Sequence, residues 1–100
     1  MTAPRTSPSS GLKRAQHRVE TARRAGHRAY DVLIAARERL DGVVEQAVRE
    51  QSFVPLAGLF ARVEAREVRF LTAMIAVRAA EDGVRKVAEA MSGQESGQDR

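Results

Sequence analysis

The sequence predicts an all-α protein: a long antiparallel two-helix coiled-coil hairpin that dimerises into a four-helix bundle. Small and apolar residues recur at alternating three- and four-residue intervals through residues 12–47, which is the spacing of a heptad seam. A second helical stretch follows Pro55, which interrupts the first. Further apolar residues lie off the seam at matching heights on both stretches, and this favours association with another copy.

The composition is that of one small domain with a thin core. The chain has 100 residues, of which 43% are hydrophobic and only 4% are aromatic, and small single-core domains are often stabilised by self-association. The absence of cysteine excludes disulfides and thiolate metal sites. There is no run of about 18 apolar residues that would span a membrane, and residues 1–30 lack the apolar segment of a secretory signal. We therefore expect a cytoplasmic bacterial protein, with export by a route that needs no such signal left open.

The formal net charge of +4 is unevenly distributed. Residues 1–30 contain seven basic groups and one acidic group, whereas the remainder contains ten basic and twelve acidic groups. A basic end is typical of proteins that bind nucleic acid or anionic lipid, but an excess of Arg over Lys is also typical of a GC-rich genome. The basic residues of the first helix surround it instead of lining one face, so we expect protein partners. The alternative is a basic, nucleic-acid-associated protein that does not read sequence.

The first helix is predicted over residues 10–51, after a disordered N-terminal tail of residues 1–9. Ser9 or Ser10 is suited to cap its start. Four successive alanines occupy the d positions of the heptads, so a partner helix can approach closely. The predicted seam consists of Leu12, Ala15, Val19, Ala22, Gly26, Ala29, Leu33, Ala36, Leu40, Val43 and Ala47.

A turn over residues 52–55 and a second helix over residues 55–91 complete the hairpin, and one kinked helix is the alternative. Proline lacks the amide hydrogen needed inside a helix but suits its first turn. Gly93 is suited to a left-handed cap, and residues 92–100 are expected to form a second disordered tail. The predicted seam of this helix consists of Leu56, Phe60, Val63, Glu67, Phe70, Met74, Val77, Glu81, Val84, Ala88 and Met91.

Folding the chain about residue 53 predicts how the two helices align. The large Phe and Met side chains of the second helix are expected to pack against the alanines of the first. Glu67 is expected beside Arg37 and Arg39. Such ion pairs add only about 0–1 kcal/mol, but they disfavour a slipped register. Glu81 is expected level with the stretch that contains Arg24, His27 and Arg28.

The predicted interaction site is a set of apolar residues that the hairpin leaves uncovered. They occur at the same height on both helices, and a second copy that packs on them forms the four-helix bundle. We expect a homodimer that also contacts another protein. The apolar tip at Phe53, Val54, Leu56 and Leu59 either folds over to close the bundle or forms a docking knob. The predicted partner-binding residues are Tyr30, Ile34, Val44, Val48, Val68, Leu71 and Ile75.

The sequence contains no residue pattern typical of an active site. A di-iron bundle requires Glu-x-x-His, and no Glu has His three residues later. His17 and His27 occupy outer heptad positions, and Glu64 and Glu67 lack the cleft that an acid–base pair requires. There is no Gly-rich phosphate loop. We therefore predict a non-enzymatic protein with no catalytic, metal-binding or cofactor-binding residues.

The Arg- and Ala-rich heptad hairpin resembles, in composition and architecture, the coiled-coil stalk proteins of flagellar and type III export ATPases. The resemblance rests on no sequence motif, so no functional residue is transferred from it, and it implies a role in secretion or export. Secreted Trp-x-Gly hairpins are similar in size, but the turn from Ser52 to Gly58 contains no Trp. The sequence thus predicts a structural or adaptor protein that serves as a small subunit, scaffold or stalk of a larger bacterial assembly.

Overall fold

The two predicted helices form and fold back on each other as a hairpin. The computed structural model describes the backbone of residues 8–98 and the side chains of residues 10–93. Helix α1 spans Pro8–Glu50 and helix α2 spans Ala57–Gln98, and no strand occurs among the described residues. The rod measures 77 × 32 × 16 Å. The all-α hairpin is therefore confirmed, and the alternative of one kinked helix is excluded.

Helix α1 begins at Pro8, two residues before the predicted start at residue 10. Proline suits this position because its missing amide hydrogen would have no partner in the first turn and its fixed φ is helical. The predicted N-terminal tail is thus helical at Pro8 and Ser9, and its residues 1–7 lie outside the described part of the chain.

Helix α2 extends beyond its predicted end at Met91 and continues to Gln98. The expected left-handed cap at Gly93 does not form, and no glycine among the described residues has a positive φ. Glycine costs a helix only about 1 kcal/mol relative to alanine, which is too little to end it where Gln and Glu, both good helix formers, follow. Of the predicted C-terminal tail, only residues 99 and 100 lie outside the described chain.

Helix α1 ends in a Schellman motif. Gln51 adopts a left-handed conformation with a φ of 52°, and its N–H donates to the Val48 carbonyl at 3.2 Å. The Ser52 N–H donates to the Ala47 carbonyl at 2.9 Å. These two bonds satisfy carbonyl groups that the end of a helix otherwise leaves unpaired, and they turn the chain before the proline.

Helix α2 begins two residues later than predicted, because Pro55 precedes the helix instead of opening it. The Leu56 carbonyl accepts a hydrogen bond from the Phe60 N–H at 2.9 Å and so starts the helical pattern. Leu59 is half-buried between the helices. Phe53, by contrast, is fully exposed, so its ring does not fold over the end of the hairpin as a cap.

The predicted seam of α1 is confirmed. All eleven of its residues are buried or half-buried, and Leu33, at 3% exposure, is the most buried residue of the core. Gly26 is also buried, and a methyl group added to it would lie 3.8 Å from Cγ2 of Val77, an ordinary contact. The small residues of α1 therefore allow α2 to pack closely against it.

Half of the predicted α2 seam is correct, and the other half is displaced by one residue. The correct half is buried or half-buried and consists of Leu56, Val63, Phe70, Val77, Val84 and Met91. The alternate positions are occupied by the half-buried residues Leu59, Arg66, Ala73, Ala80 and Val87. The residues predicted there are exposed, except for the half-buried Glu67; they are Phe60, Glu67, Met74, Glu81 and Ala88.

The size of alanine explains this displacement at two of the five positions. Ala73 and Ala80 turn toward the alanine-rich seam of α1, and small residues on both sides let two helices approach closely. Phe60 and Met74 would hold the helices apart, so they lie at the edge of the contact instead. The predicted packing of Phe and Met into the alanines is therefore wrong for these two residues. Phe70 remains in the seam, where its ring centroid lies 5.5 Å from that of Tyr30.

Two ion pairs between the helices fix their register. Arg37 Nη2 lies 3.3 Å from Glu67 Oε1, as predicted. Glu81 Oε2 pairs with Arg23 Nη2 at 2.9 Å, not with the predicted Arg24, His27 or Arg28. The reason is that each residue of α2 lies level with a slightly earlier residue of α1 than a fold about residue 53 implies. All four side chains keep about half of their surface exposed, so the pairs select the register more than they stabilise it.

Candidate functional site

The hairpin has two long flanks, one on each side of the plane through its helix axes. A groove on one side is lined by Arg23, Gly26, His27, Tyr30, Phe70, Met74, Val77 and Glu81. A groove on the other side is lined by Gly11, Arg14, Ala15, Arg18, Ala79, Ala80, Gly83 and Val87. With the seam at positions a and d, the b and e residues of both helices lie on the first side and the c and g residues on the second.

The first side carries most of the predicted interaction site and is called the apolar flank here. Six of the seven predicted residues are exposed, and Ile34 is corrected to half-buried because it lies closer to the helix contact than its neighbours. Leu71 and Ile75 are 59% and 70% exposed. The flank consists of Tyr30, Ile34, Val44, Val48, Phe60, Leu71 and Met74, with Val68 and Ile75 at its outer edge on α2.

The centre of the apolar flank is continuous across both helices. Met74, 45% exposed, lines the groove that contains Tyr30 and Phe70. It also lines a neighbouring groove with Leu71 and Ile75. The structure therefore brings the predicted residues of the two helices together at mid-height, through a residue that the sequence had assigned to the seam.

A second apolar group lies on the same flank near the hairpin tip. Val44 and Phe60 are at the same height, because each is one heptad nearer the tip than the paired Arg37 and Glu67. Val48 lies beyond them and is 71% exposed. Phe60 and Met74 were predicted in the seam because local spacing allows two heptad seams on α2. The signals for the seam that forms were the alanines at 73 and 80 and its single charged residue, Arg66, where the predicted seam has both Glu67 and Glu81.

The second side is called the basic flank and is defined by eight basic residues; Arg49, also at a c position, is left out because it pairs with Glu45 of its own helix. Seven of them are exposed at c and g positions, and the eighth, Arg66, is half-buried in the seam. No described c or g position of either helix carries Asp or Glu. The eight residues are Arg14, Arg18, Arg28, Arg39, Arg62, Arg66, Arg69 and Lys86.

The remaining candidate acid, base and metal-binding residues do not form a site in the described part of the chain. His17, His27 and Glu64 are exposed, and Glu67 is ion-paired with Arg37. No group of three or more His, Asp or Glu in the described residues is arranged to hold a metal ion. Neither described helix contains a stretch long and apolar enough to cross a membrane.

The fold defines an antiparallel α-helical hairpin of the coiled-coil class. No protein-family model, curated protein or solved structure matches the chain. The surfaces of the hairpin must therefore indicate its role.

Proposed function

We propose that this protein is a non-enzymatic structural or adaptor protein that self-associates through its apolar flank. Two hairpins pack these flanks together as an antiparallel four-helix bundle, and the bundle serves as a small subunit, scaffold or stalk of a larger bacterial assembly. The observation that carries the proposal is the continuous exposed apolar surface from Tyr30 through Met74 to Ile75. Contiguous apolar surface of this kind marks a partner site on soluble proteins.

The charges around that surface favour a second copy in antiparallel orientation. Glu64 and Arg78 lie about two helical turns on either side of Leu71, and neither takes part in an ion pair among the described residues. A twofold axis through Leu71 brings Glu64 of each copy opposite Arg78 of the other. Self-complementarity of one surface patch about such an axis is what a twofold dimer requires.

The acidic and basic ends of the flank extend this pattern. Asp41 on α1 lies near the height of Glu64, as the Arg37–Glu67 pair one turn away shows. In the other direction, Arg23 near the height of Arg78 is already paired with Glu81, so Arg78 is the unpaired basic group of that end among the described residues. Head-to-tail packing of two flanks therefore sets an acidic end against a basic end twice, whereas parallel packing sets like charges together.

Sedimentation velocity over a concentration series tests this proposal with a matched pair of variants. Leu71→Glu places a charge in the middle of the apolar flank and should weaken dimerisation by about 100-fold or more, since a buried unpaired charge is strongly unfavourable. Val32→Glu introduces the same charge at an exposed position on the basic flank and should leave the dimer intact. A monomeric wild-type protein, or equal loss in both variants, would overturn the proposal.

A further inference from the structure

The basic flank gathers like charges with no counter-charge from the chain. None of its eight residues forms an ion pair among the described residues, and both pairs between the helices lie on the opposite flank. Arg28, Arg66 and Arg69 line one groove together with Ala29 and Val32. Mutual repulsion of such groups is relieved by an external anion that the chain itself does not supply.

Arg66 strengthens this observation because of where it lies. It occupies a seam position that the heptad reserves for an apolar residue, and it is half-buried there. No carboxylate among the described residues pairs with it. The fold thus holds the Arg66 side chain in one groove with Arg28 and Arg69, where a bound anion would offset the repulsion among the three guanidinium groups.

The arrangement along the rod indicates an extended polyanion. Arg14 and Arg39 are separated by 25 residues of one helix, about 38 Å at the helical rise. Arg62 and Lys86 span a similar length on α2. A row of this length spans about one turn of a nucleic-acid duplex, which presents about one phosphate per 1.7 Å of axis.

The side chains between the basic residues distinguish a duplex from a membrane. Helices that lie in a lipid surface insert bulky apolar residues there, with basic residues at the rim. On this flank the intervening apolar residues are small, such as Ala25, Ala35, Ala65 and Ala76, and Val32 is the only larger apolar residue at a described c or g position. Gln46 is the only Asn or Gln at a described c or g position, so the flank has few groups that read base edges.

We infer that the basic flank binds the phosphate backbone of double-stranded nucleic acid without reading its sequence. This inference does not rest on dimerisation, because the flank faces away from the apolar flank and is complete in one hairpin. If dimers form, they present two such flanks on opposite sides.

Fluorescence anisotropy with a labelled DNA duplex of about three helical turns tests the inference. Contact with five phosphates gives a slope of about −4.5 for the logarithm of the binding constant against the logarithm of salt concentration. Affinity should then fall by about 500-fold between about 50 and 200 mM salt. Two duplexes of unrelated sequence should bind within about threefold of each other, since phosphate contacts carry no sequence information.

The decisive comparison is between two double variants of equal net charge. Arg28→Glu/Arg69→Glu changes the basic flank and should lower duplex affinity by about 100-fold or more, because attraction at two phosphate contacts becomes repulsion. Arg24→Glu/Arg85→Glu changes residues outside the flank, both of them exposed and in pairs within their own helix, and should lower affinity by less than about tenfold. Circular dichroism must show that both variants retain wild-type helicity.

Three outcomes would overturn the inference. They are equal loss in the two double variants, no duplex binding at the lowest salt, and tighter binding to phosphatidylserine vesicles than to the duplex. Leu71→Glu should retain duplex binding as a monomer, so failure of the proposed dimer and failure of this inference are distinguishable.

Discussion

The two flanks of the hairpin differ in whether their charged residues form ion pairs within the chain. On the apolar flank, acidic and basic residues alternate, and the pairs Arg23–Glu81 and Arg37–Glu67 form within the chain. On the basic flank, no described c or g position carries a carboxylate, and every guanidinium group except that of Arg49, which pairs with Glu45, remains unpaired. One side therefore satisfies most of its charges and exposes its apolar residues, whereas the other exposes its charges between small residues.

This difference shows that one thin seam can separate two independent surfaces. The core contains only a few fully packed side chains, such as Leu33, Val63 and Val77. Because each helix has one face in the seam and the rest in solvent, a substitution outside the seam should alter one flank alone. A substitution inside it should alter both.

The largest effect is expected for Leu33→Ala, which removes the most buried side chain of the seam. The loss of burial and the resulting cavity should lower the free energy of unfolding by about 2–3 kcal/mol. Thermal and urea denaturation at fixed protein concentration measure this change. Dimerisation and duplex binding should weaken together, and a loss confined to one of them would contradict the idea of a shared seam.

A charge reversal on the apolar flank should have the next largest effect. Glu64→Arg and Arg78→Glu should each weaken the dimer by about tenfold, because like charges then meet across the proposed twofold axis. The double variant restores opposite charges at both contacts and should recover wild-type dimerisation in sedimentation equilibrium. Additive loss in the double variant would rule out the antiparallel arrangement about Leu71.

A smaller gain is expected for Gly26→Ala. The added methyl group would make an ordinary contact with Val77 at 3.8 Å, and alanine is a better helix former than glycine by about 1 kcal/mol. The free energy of unfolding, measured by urea denaturation, should therefore rise by about 1 kcal/mol. Both flanks should bind as in the wild type. Destabilisation would mean that the helices pack more closely at this point than the structure indicates.

The smallest effect is expected at the turn. Gln51 holds a positive φ that side chains rarely adopt, and Gln51→Gly should raise the free energy of unfolding by about 0.5–1 kcal/mol. Gln51→Ala keeps the strain and provides the matched control in the same denaturation experiment. Neither variant should change dimerisation or duplex binding, since the turn lies outside both flanks.

Much of this architecture could be predicted from the sequence. The α1 seam was predicted residue by residue, because Ala15, Ala22, Ala29 and Ala36 repeat at a spacing that only one helical face satisfies. The exposure of Tyr30, Leu71 and Ile75 followed from their positions off either seam. The Arg37–Glu67 pair followed from the proline turn, which sets the height of one helix against the other.

The second seam could not be predicted in full, because α2 carries apolar residues around much of its surface. Phe60 and Met74 fit one heptad seam and Leu59 and Ala73 fit another, and local spacing treats the two alike. The length of α2 beyond Met91 was also missed, because a single glycine is a weak stop signal.

The 3.5-residue period and the proline break are properties of the sequence alone. They are therefore sufficient to predict the hairpin and the face of α1 that turns inward. Which face of α2 turns inward depends on how closely the two helices can approach each other. That distance is set by the side chains of both helices and cannot be read from α2 alone. The choice of alanine over phenylalanine and methionine moves Met74 to the apolar flank. It also places Arg66 and Arg69 of α2 beside Arg28 of α1, so that arginines from two separate helices share one charged face in the folded pair.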